Sequence, residues 1–516
     1  MRPQRVAIID FGGQYTHLIA RRCRELGVYS EIIPSTMPLR EVFSGAHETL
    51  GIILSGGPRS FDEPDAPRLS AEDLLNVQVP VLGICYGHQL IAAAFNGELE
   101  RGTIMEYGKT YVRVVERDVL FMDVPEQFVV WMSHMDSVVK QPPGFKVLAL
   151  TERGAVAAMR HAERPIYGVQ FHPEVKHTQM GKSILKRFLA DVCRFRCDWR
   201  PMDRVEELSK EIVATIPPDE CVICAVSGGV DSVTTAVLLN RILGKRLYCI
   251  FVDHGLMRKD EPEQVVSTLR RMGITNLIFV RAAERFLSRL RGVKDPEEKR
   301  KIIGEEFAKI FEEEASKIPK ISWLAQGTIY PDRIESGSAG TGSALIKTHH
   351  NVAGLPADLK LKLVEPLRDL YKDEVREVAR RLGIPEEIVS RHPFPGPGLA
   401  VRIIGEVTEE KLRICRESNA IVEEEFKKAG VYDKVWQAFA VVTDSSWTGV
   451  MGDTRAEGYV VIVRAVESED GMTADWYRPD MDLLDRISKR IVNEVGNVTM
   501  VAYATTSKPP STIEAC

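Results

Sequence analysis

Residues 79–95 read VPVLGICYGHQLIAAAF, and this stretch decides the fold of the N-terminal third. It opens as an apolar strand, closes as an alanine-rich helix, and places Cys85 at the junction with Gly83 and Gly87 on either side. A strand that turns straight into a helix bends sharply, and side chains two positions from the bend collide; glycine removes them. At a helix N-terminus, backbone N–H groups and the helix dipole favour a thiolate. Cys85 is therefore a candidate nucleophile at an elbow, against the plainer reading of a buried apolar filler.

Outward from the elbow, RVAIID, LGIILS and IYGVQF read as further buried strands, with YTHLIARRCREL as a helix between two of them. Strands alternating with helices predict a largely parallel sheet covered on both faces. A nucleophilic Cys needs a base, and the base an orienting acid. VQFHPE offers both, His172 at a strand end and Glu174 two residues on, with Pro173 stiffening the bend. The tetrahedral intermediate needs N–H donors. The N–H of Tyr86 is one candidate, and Gly57 in the turn SGGP is a second, although SGGP is otherwise only a turn.

The charged, proline-containing segment CRFRCDWRPMDR, 193–204, is the first predicted boundary. A second α/β unit follows with strands CVICAV, RLYCIFVD, NLIFVR and ISWLAQG. A helix is predicted from 296 to about 316, with Asp295 as N-cap, Pro296 at its first position and Glu297 and Glu298 in its first turn. YKDEVREVARRLG lines up Val375, Val378, Ala379 and Leu382, with Gly383 as the stop, and needs only a structural reading. RHPFPGPGLA ends the unit. From about 400, AFAVVT, GYVVIVRAV and VTMVAYATT surround the helix PDMDLLDRISKRIVNEV. The expected class is α/β: two doubly wound, largely parallel-sheet domains at 1–195 and 200–395, then a small α/β piece at 396–516.

Strand CVICAV runs into Ser227-Gly228-Gly229-Val230-Asp231-Ser232 and a helix that starts near Val233. Glycine-rich backbone at a helix N-terminus cradles phosphate oxygens. The Gly-Lys-Ser/Thr of a Walker loop is missing; Asp231 instead suits magnesium shared with phosphates. Lys347, in LIKTHHN, is a candidate cation for the polyphosphate. His349 and His350 read better as part of a phosphate-side loop than as metal ligands.

GICYGHQ, SGGP and VQFHPE together resemble the class I (triad) glutamine amidotransferases over residues 1 to about 190. SGGVDS followed by FVDHG resembles the pyrophosphate loop of the ATP pyrophosphatases. DPEEKRKIIGEEF, LAQGTIYPDRIES, IKTHHN, RHPFPGPGL, VMGDTR and SKPPSTIE resemble, along the whole chain, the glutamine-hydrolysing GMP synthetases. That resemblance implies a glutaminase at 1–195, an adenylating domain at 200–395, and a C-terminal piece that dimerises and helps complete the substrate site. The implied substrates are glutamine, ATP and xanthosine monophosphate (XMP), with Mg2+; XMP would be adenylated at its C2 oxygen and aminated by ammonia from glutamine. It further implies ATP contacts across Ser227–Val233 and substrate contacts at Arg300, Gln437, Asp453, Arg455, Lys508 and Glu514. Two departures stand out: the chain ends Glu514-Ala515-Cys516 where the family has IEWE, and Met135-Asp136 replaces Gly-Asp. Synthetases for asparagine, NAD or CTP do not fit this order of motifs.

A net charge of -5, with no basic stripe, speaks against nucleic acid and anionic membrane as partners, tRNA included. No apolar run approaches the roughly 20 residues of a membrane span, and no signal peptide is read at MRPQRVAIIDFGG. Nine scattered cysteines do not make a disulfide framework, and Cys221 and Cys224 read as strand residues rather than a redox pair. A cytosolic location is the expectation.

Overall fold

The computed structural model describes residues 3–44, 47–337, 361–451, 453–468, 471 and 473–516, and they divide into two compact units, Met1–Asp203 and Arg204–Cys516. No described helix is long and apolar enough to cross a membrane.

The first unit is built on nine strands among the described residues: β1 (Gln4–Asp10), β2 (Ser30–Pro34), β3 (Glu48–Leu54), β4 (Val81–Ile84), β5 (Glu98–Val114), β6 (Gln127–Lys140), β7 (Phe145–Thr151), β8 (Val156–His161) and β9 (Ile166–Val169). They join in one sheet in the order β2-β1-β3-β4-β9-β8-β7-β5-β6. From β2 to β9 every pairing is parallel, as the helix-alternating pattern predicts; from β9 to β6 every pairing is antiparallel. The antiparallel half was not read from sequence. Its long strand β6 alternates buried and wetter positions and β5 is mostly exposed, so neither shows the continuous apolar run expected of a parallel strand. Ala7, Ile52, Val81, Leu90 and Met159 belong to one buried cluster of this sheet and its helices.

The second unit contains β10 (Cys221–Ala225), β11 (Leu247–Asp253), β12 (Leu277–Arg281), β13 (Ile321–Ala325) and β14 (Lys362–Val364), all parallel, in the order β12-β11-β10-β13-β14. Chain order reverses between β10 and β13, and such a switch point opens a crevice at the strands' carboxyl ends. A second sheet follows from β15 (Gln437–Met451), β16 (Thr454–Glu467), β17 (Asp475–Trp476) and β18 (Val498–Tyr503): β15 and β17 run antiparallel to β16, and β18 runs parallel to it.

Residues 200–395 and 396–516, expected as two domains, pack as one unit. Helix Glu409–Lys428 explains this: Leu412, Cys415, Ile421 and Val422 join Ile223, Ile250 and Leu324 of the parallel sheet and Val461 and Ile487 of the C-terminal piece in one buried cluster. Helix Pro296–Ala315 starts as predicted, its Asp295 side chain accepting from Glu298 N–H at 2.8 Å. In helix Lys372–Arg381, Val375, Val378 and Ala379 are buried, and Gly383 follows at φ +80°.

Candidate active sites

Cys85 lies directly after β4 at φ 53°, ψ -104°, a conformation few L-residues adopt, and begins helix Tyr86–Ala94. A Cβ added at Gly83 would meet Gly87 O at 2.4 Å, and one at Gly87 would meet Leu54 O at 2.4 Å. Both glycines are thus demanded by backbone approaching backbone. Gly87→Ala should lower the stability of this unit by about 1–3 kcal/mol, read as an earlier first transition in thermal unfolding.

The register of β4 against β9, Ile84 beside Val169, lines up the two strand ends that carry Cys85 and the His172 turn. Cys85 N–H donates to Val169 O at 2.9 Å. His172 Nδ1–H donates to Glu174 Oε1 at 2.7 Å; a carboxylate only accepts, so the tautomer is fixed. The Cys85 sulfur is near enough to act on the imidazole's charge, and its thiol donates to Ser133 O at 3.7 Å. Burial disfavours a charged ring here, but the Glu174 carboxylate and the Cys85 sulfur outweigh it and hold the His172 pKa well above the ordinary value.

The surroundings lock this arrangement. Arg22 Nε donates to Glu174 O at 2.9 Å, Thr178 Oγ1 to His172 O at 2.6 Å, and His172 N–H to Trp131 O at 3.0 Å. The Tyr15 ring meets the imidazole edge-on at 4.9 Å. Tyr15 and Arg22 come from helix Thr16–Glu25 and its N-cap and Trp131 from β6, so only Thr178, six residues beyond His172, is local in sequence. Tyr86, the first residue of its helix, has an N–H that no intrahelical carbonyl reaches. Gly57 packs against it: an added Cβ would lie 3.1 Å from Tyr86 Cδ1 and 2.9 Å from Phe11 O. Asp136 ties the same loop down, accepting from Ser60 Oγ at 2.5 Å and Phe61 N–H at 3.3 Å, while the neighbouring Met135 is exposed.

In the second unit, Ser227–Ser232 follows β10 at the switch point. Gly228 has φ +84°, and a Cβ there would meet Val265 Cγ2 at 2.7 Å. The loop closes on Ser232, whose Oγ accepts from Ser227 N–H and donates to Gly229 O, both at 3.1 Å. Val230 and Val233 are buried in helix Val230–Leu243, beneath the loop. Asp231 forms an ion pair with Lys372, and its Oδ1 is buried without a hydrogen-bond partner among the described residues. Lys347, His349 and His350 lie outside the described residues. His254, in FVDHG, is fully enclosed; burial and the nearby Arg416 push its pKa down to about 4, so it is neutral near pH 7.

The substrate-contact residues implied by resemblance fall into two groups. Gln437 Nε2 donates to Glu514 Oε1 at 3.0 Å, and Arg402 grips both Glu514 oxygens at 3.0 Å each. Arg300 donates to Cys516 O, so it too faces this C-terminal segment. The tail is pinned rather than frayed: Arg464 donates to the carbonyls of Thr506, Thr512 and Ile513. Lys508 Nζ donates to Gly471 O at 2.8 Å. Asp453, at φ 63°, and Arg455 are exposed at the far end of the β15–β16 hairpin. Gln437 pairs with Val466 at one end of that hairpin and Arg455 with Val450 at the other, so the two groups lie at opposite ends of it.

The glutamine amidotransferase class-I profile matches residues 7–192, and the GMP synthase C terminal domain profile matches residues 424–515. The chain is 53% identical over 514 residues to the GMP synthase [glutamine-hydrolyzing] of Pyrobaculum aerophilum, covering 99% of this chain and 100% of that one. It is 53% identical over 510 residues to the same-named protein of Symbiobacterium thermophilum, covering 99% and 98%. With that of Clostridium botulinum it shares 52% over 514 residues, the full length of both. The chain belongs to the glutamine-hydrolysing GMP synthase family.

Proposed function

We propose that this chain is an ATP-dependent ligase that makes GMP from XMP with glutamine as nitrogen donor, and that Cys85, His172 and Glu174 release the ammonia. The observation that carries the reading is one chain, similar over its full length to these synthases, in which His172 bonds Glu174 beside the Cys85 strand end in one unit and a glycine-rich loop lies at a sheet switch point in the other.

Glu174 holds the imidazole with its other nitrogen toward Cys85, and the charged ring stabilises a thiolate. The thiolate attacks the glutamine amide carbon, with the N–H groups of Tyr86 and Gly57 as candidate donors to the oxyanion. His172 then gives its proton to the departing ammonia, and water cleaves the thioester to glutamate. Glu174→Gln should lower glutamine-dependent GMP formation by about 10²–10⁴-fold and leave ammonium-dependent formation unchanged. Its His172 should titrate at lower pH than in the wild type, which imidazole NMR reads directly.

In the second unit, Ser227–Ser232 receives the phosphates of ATP, and we assign Lys347 to the same polyphosphate. The XMP C2 oxygen attacks the α-phosphorus and pyrophosphate leaves; ammonia then displaces AMP. No group of three or more His, Cys, Asp or Glu among the described residues is placed to cage a metal. A lone carboxylate with an orphaned oxygen, Asp231, fits an ion held mainly by substrate phosphates, and magnesium there would neutralise phosphate charge. Arg300, Gln437, Lys508 and Glu514 are assigned to XMP.

We further propose a homodimer formed through residues 396–516, because Asp453 and Arg455 can join a substrate site only if a second copy supplies or receives them. Light scattering on the purified chain tests this, with a monomer as the contrary result. A reducing cytosol suits a protein whose nine cysteines are all free. The function itself is tested by incubating the protein with XMP, ATP, MgCl2 and glutamine and following AMP and GMP; absence of both products sinks it.

A further inference from the structure

Lys372 is the first residue of helix Lys372–Arg381, and its ammonium pairs with the phosphate-loop carboxylate of Asp231. A cation in a first turn opposes the helix dipole, so this position is unfavourable unless an anion stands close by. The backbone there is firmly set. Tyr371 N–H donates to Glu374 Oε2 at 2.7 Å, Tyr330 N–H donates to Leu370 O at 2.9 Å, and the Tyr330 and Tyr371 rings meet edge-on at 5.3 Å. The two charged side chains remain about one-third exposed, 32% for Lys372 and 27% for Asp231, so both are reachable from solvent. Asp231 Oδ2 is engaged by the ammonium while its Oδ1 is buried without a partner among the described residues.

We propose that Lys372 is a phosphate-binding residue of the loop and alternates between two anions, the Asp231 carboxylate and an oxygen of the bound pyrophosphate group. The inference rests on the reading of Ser227–Ser232 as the pyrophosphate site. On Asp231, the ammonium neutralises a carboxylate that would otherwise repel an incoming polyanion. If Asp231 held a divalent cation, the ammonium of Lys372 would be repelled from that carboxylate and would favour the phosphates instead. Lys372 thereby supplies the fixed positive charge that a Walker lysine supplies elsewhere, from a different element of the fold.

Calorimetric titration of the full chain with sodium pyrophosphate, with and without MgCl2, tests the assignment in wild type, Lys372→Met and Lys372→Arg. A melting curve for each variant confirms that it is folded. Lys372→Met is expected to weaken pyrophosphate binding by about tenfold or more, and Lys372→Arg to restore most of it. Mn2+ alone, followed by its EPR signal, should bind Lys372→Met more tightly than wild type, because Asp231 has lost its competing cation. Wild-type pyrophosphate affinity in Lys372→Met overturns the proposal, and unchanged Mn2+ affinity overturns the exchange between two anions. If the wild type itself fails to bind pyrophosphate, the reading of the loop is what fails.

Discussion

Replacing Cys85 with alanine is expected to abolish glutamine-dependent GMP formation while ammonium salts still support it at the wild-type rate. Without the sulfur no thioester can form, and what remains of the site should give only residual catalysis, so the loss should reach about 10⁴-fold or more. The backbone at residue 85 is held by the strand–helix junction and by the Cys85 N–H bond to Val169, neither of which needs the thiol. Alanine at φ 53° keeps the same strain as cysteine, so the fold should survive. Paired assays with glutamine and with ammonium chloride, plus [14C]glutamate release, separate the outcomes. Loss of both activities would make Cys85 a structural residue, and retention of both would remove it from the reaction.

Asp231→Ala is expected to produce the opposite pattern, loss of GMP formation with either nitrogen source. Adenylation precedes amination, so a fault at the phosphate loop cannot be bypassed by supplying ammonia. A metal-held phosphate group is worth several kcal/mol of transition-state stabilisation, which corresponds to about 10²–10⁴-fold in rate. Pyrophosphate release, followed with a coupled phosphatase, should fall in parallel with GMP. Normal pyrophosphate release from the variant would show that Asp231 plays no part in adenylation. The same substitution frees Lys372, and it should therefore bind metal-free pyrophosphate no worse than wild type. The metal-dependent and metal-free titrations thus divide the roles of carboxylate and ammonium.

Much of this protein is legible where the chemistry is packed into neighbouring residues. The elbow needs glycine two positions before and two positions after Cys85, and SGGVDS needs glycine before a helix start; both are local backbone requirements. The start of helix Pro296–Ala315 and the apolar stripe of Lys372–Arg381 are equally local, because capping and 3.6-residue periodicity act within a turn or two. The antiparallel half of the first sheet was less legible, since β6 alternates buried and wetter positions, β5 is mostly exposed, and both lack the apolar runs of β1 and β3. The first turn of Lys372–Arg381 held a readable anomaly, a lysine where the dipole asks for an acid, but its partner lay 141 residues away.

Cys85 and its glycines were determined by sequence alone, as the chemistry of one bend. Which histidine lies beside that cysteine was decided only by the sheet. The register of β4 beside β9 brings residue 172 to residue 85, and the order β10-β13-β14 carries Lys372 to Asp231. Tertiary structure likewise separated Asp453 and Arg455 from Gln437 and Glu514, and turned the C-terminal tail into a pinned segment through Arg464. The physical reason is the range of the forces involved. Backbone sterics and capping act between near neighbours along the chain, whereas ion pairs and relays join whatever strand order and packing place side by side.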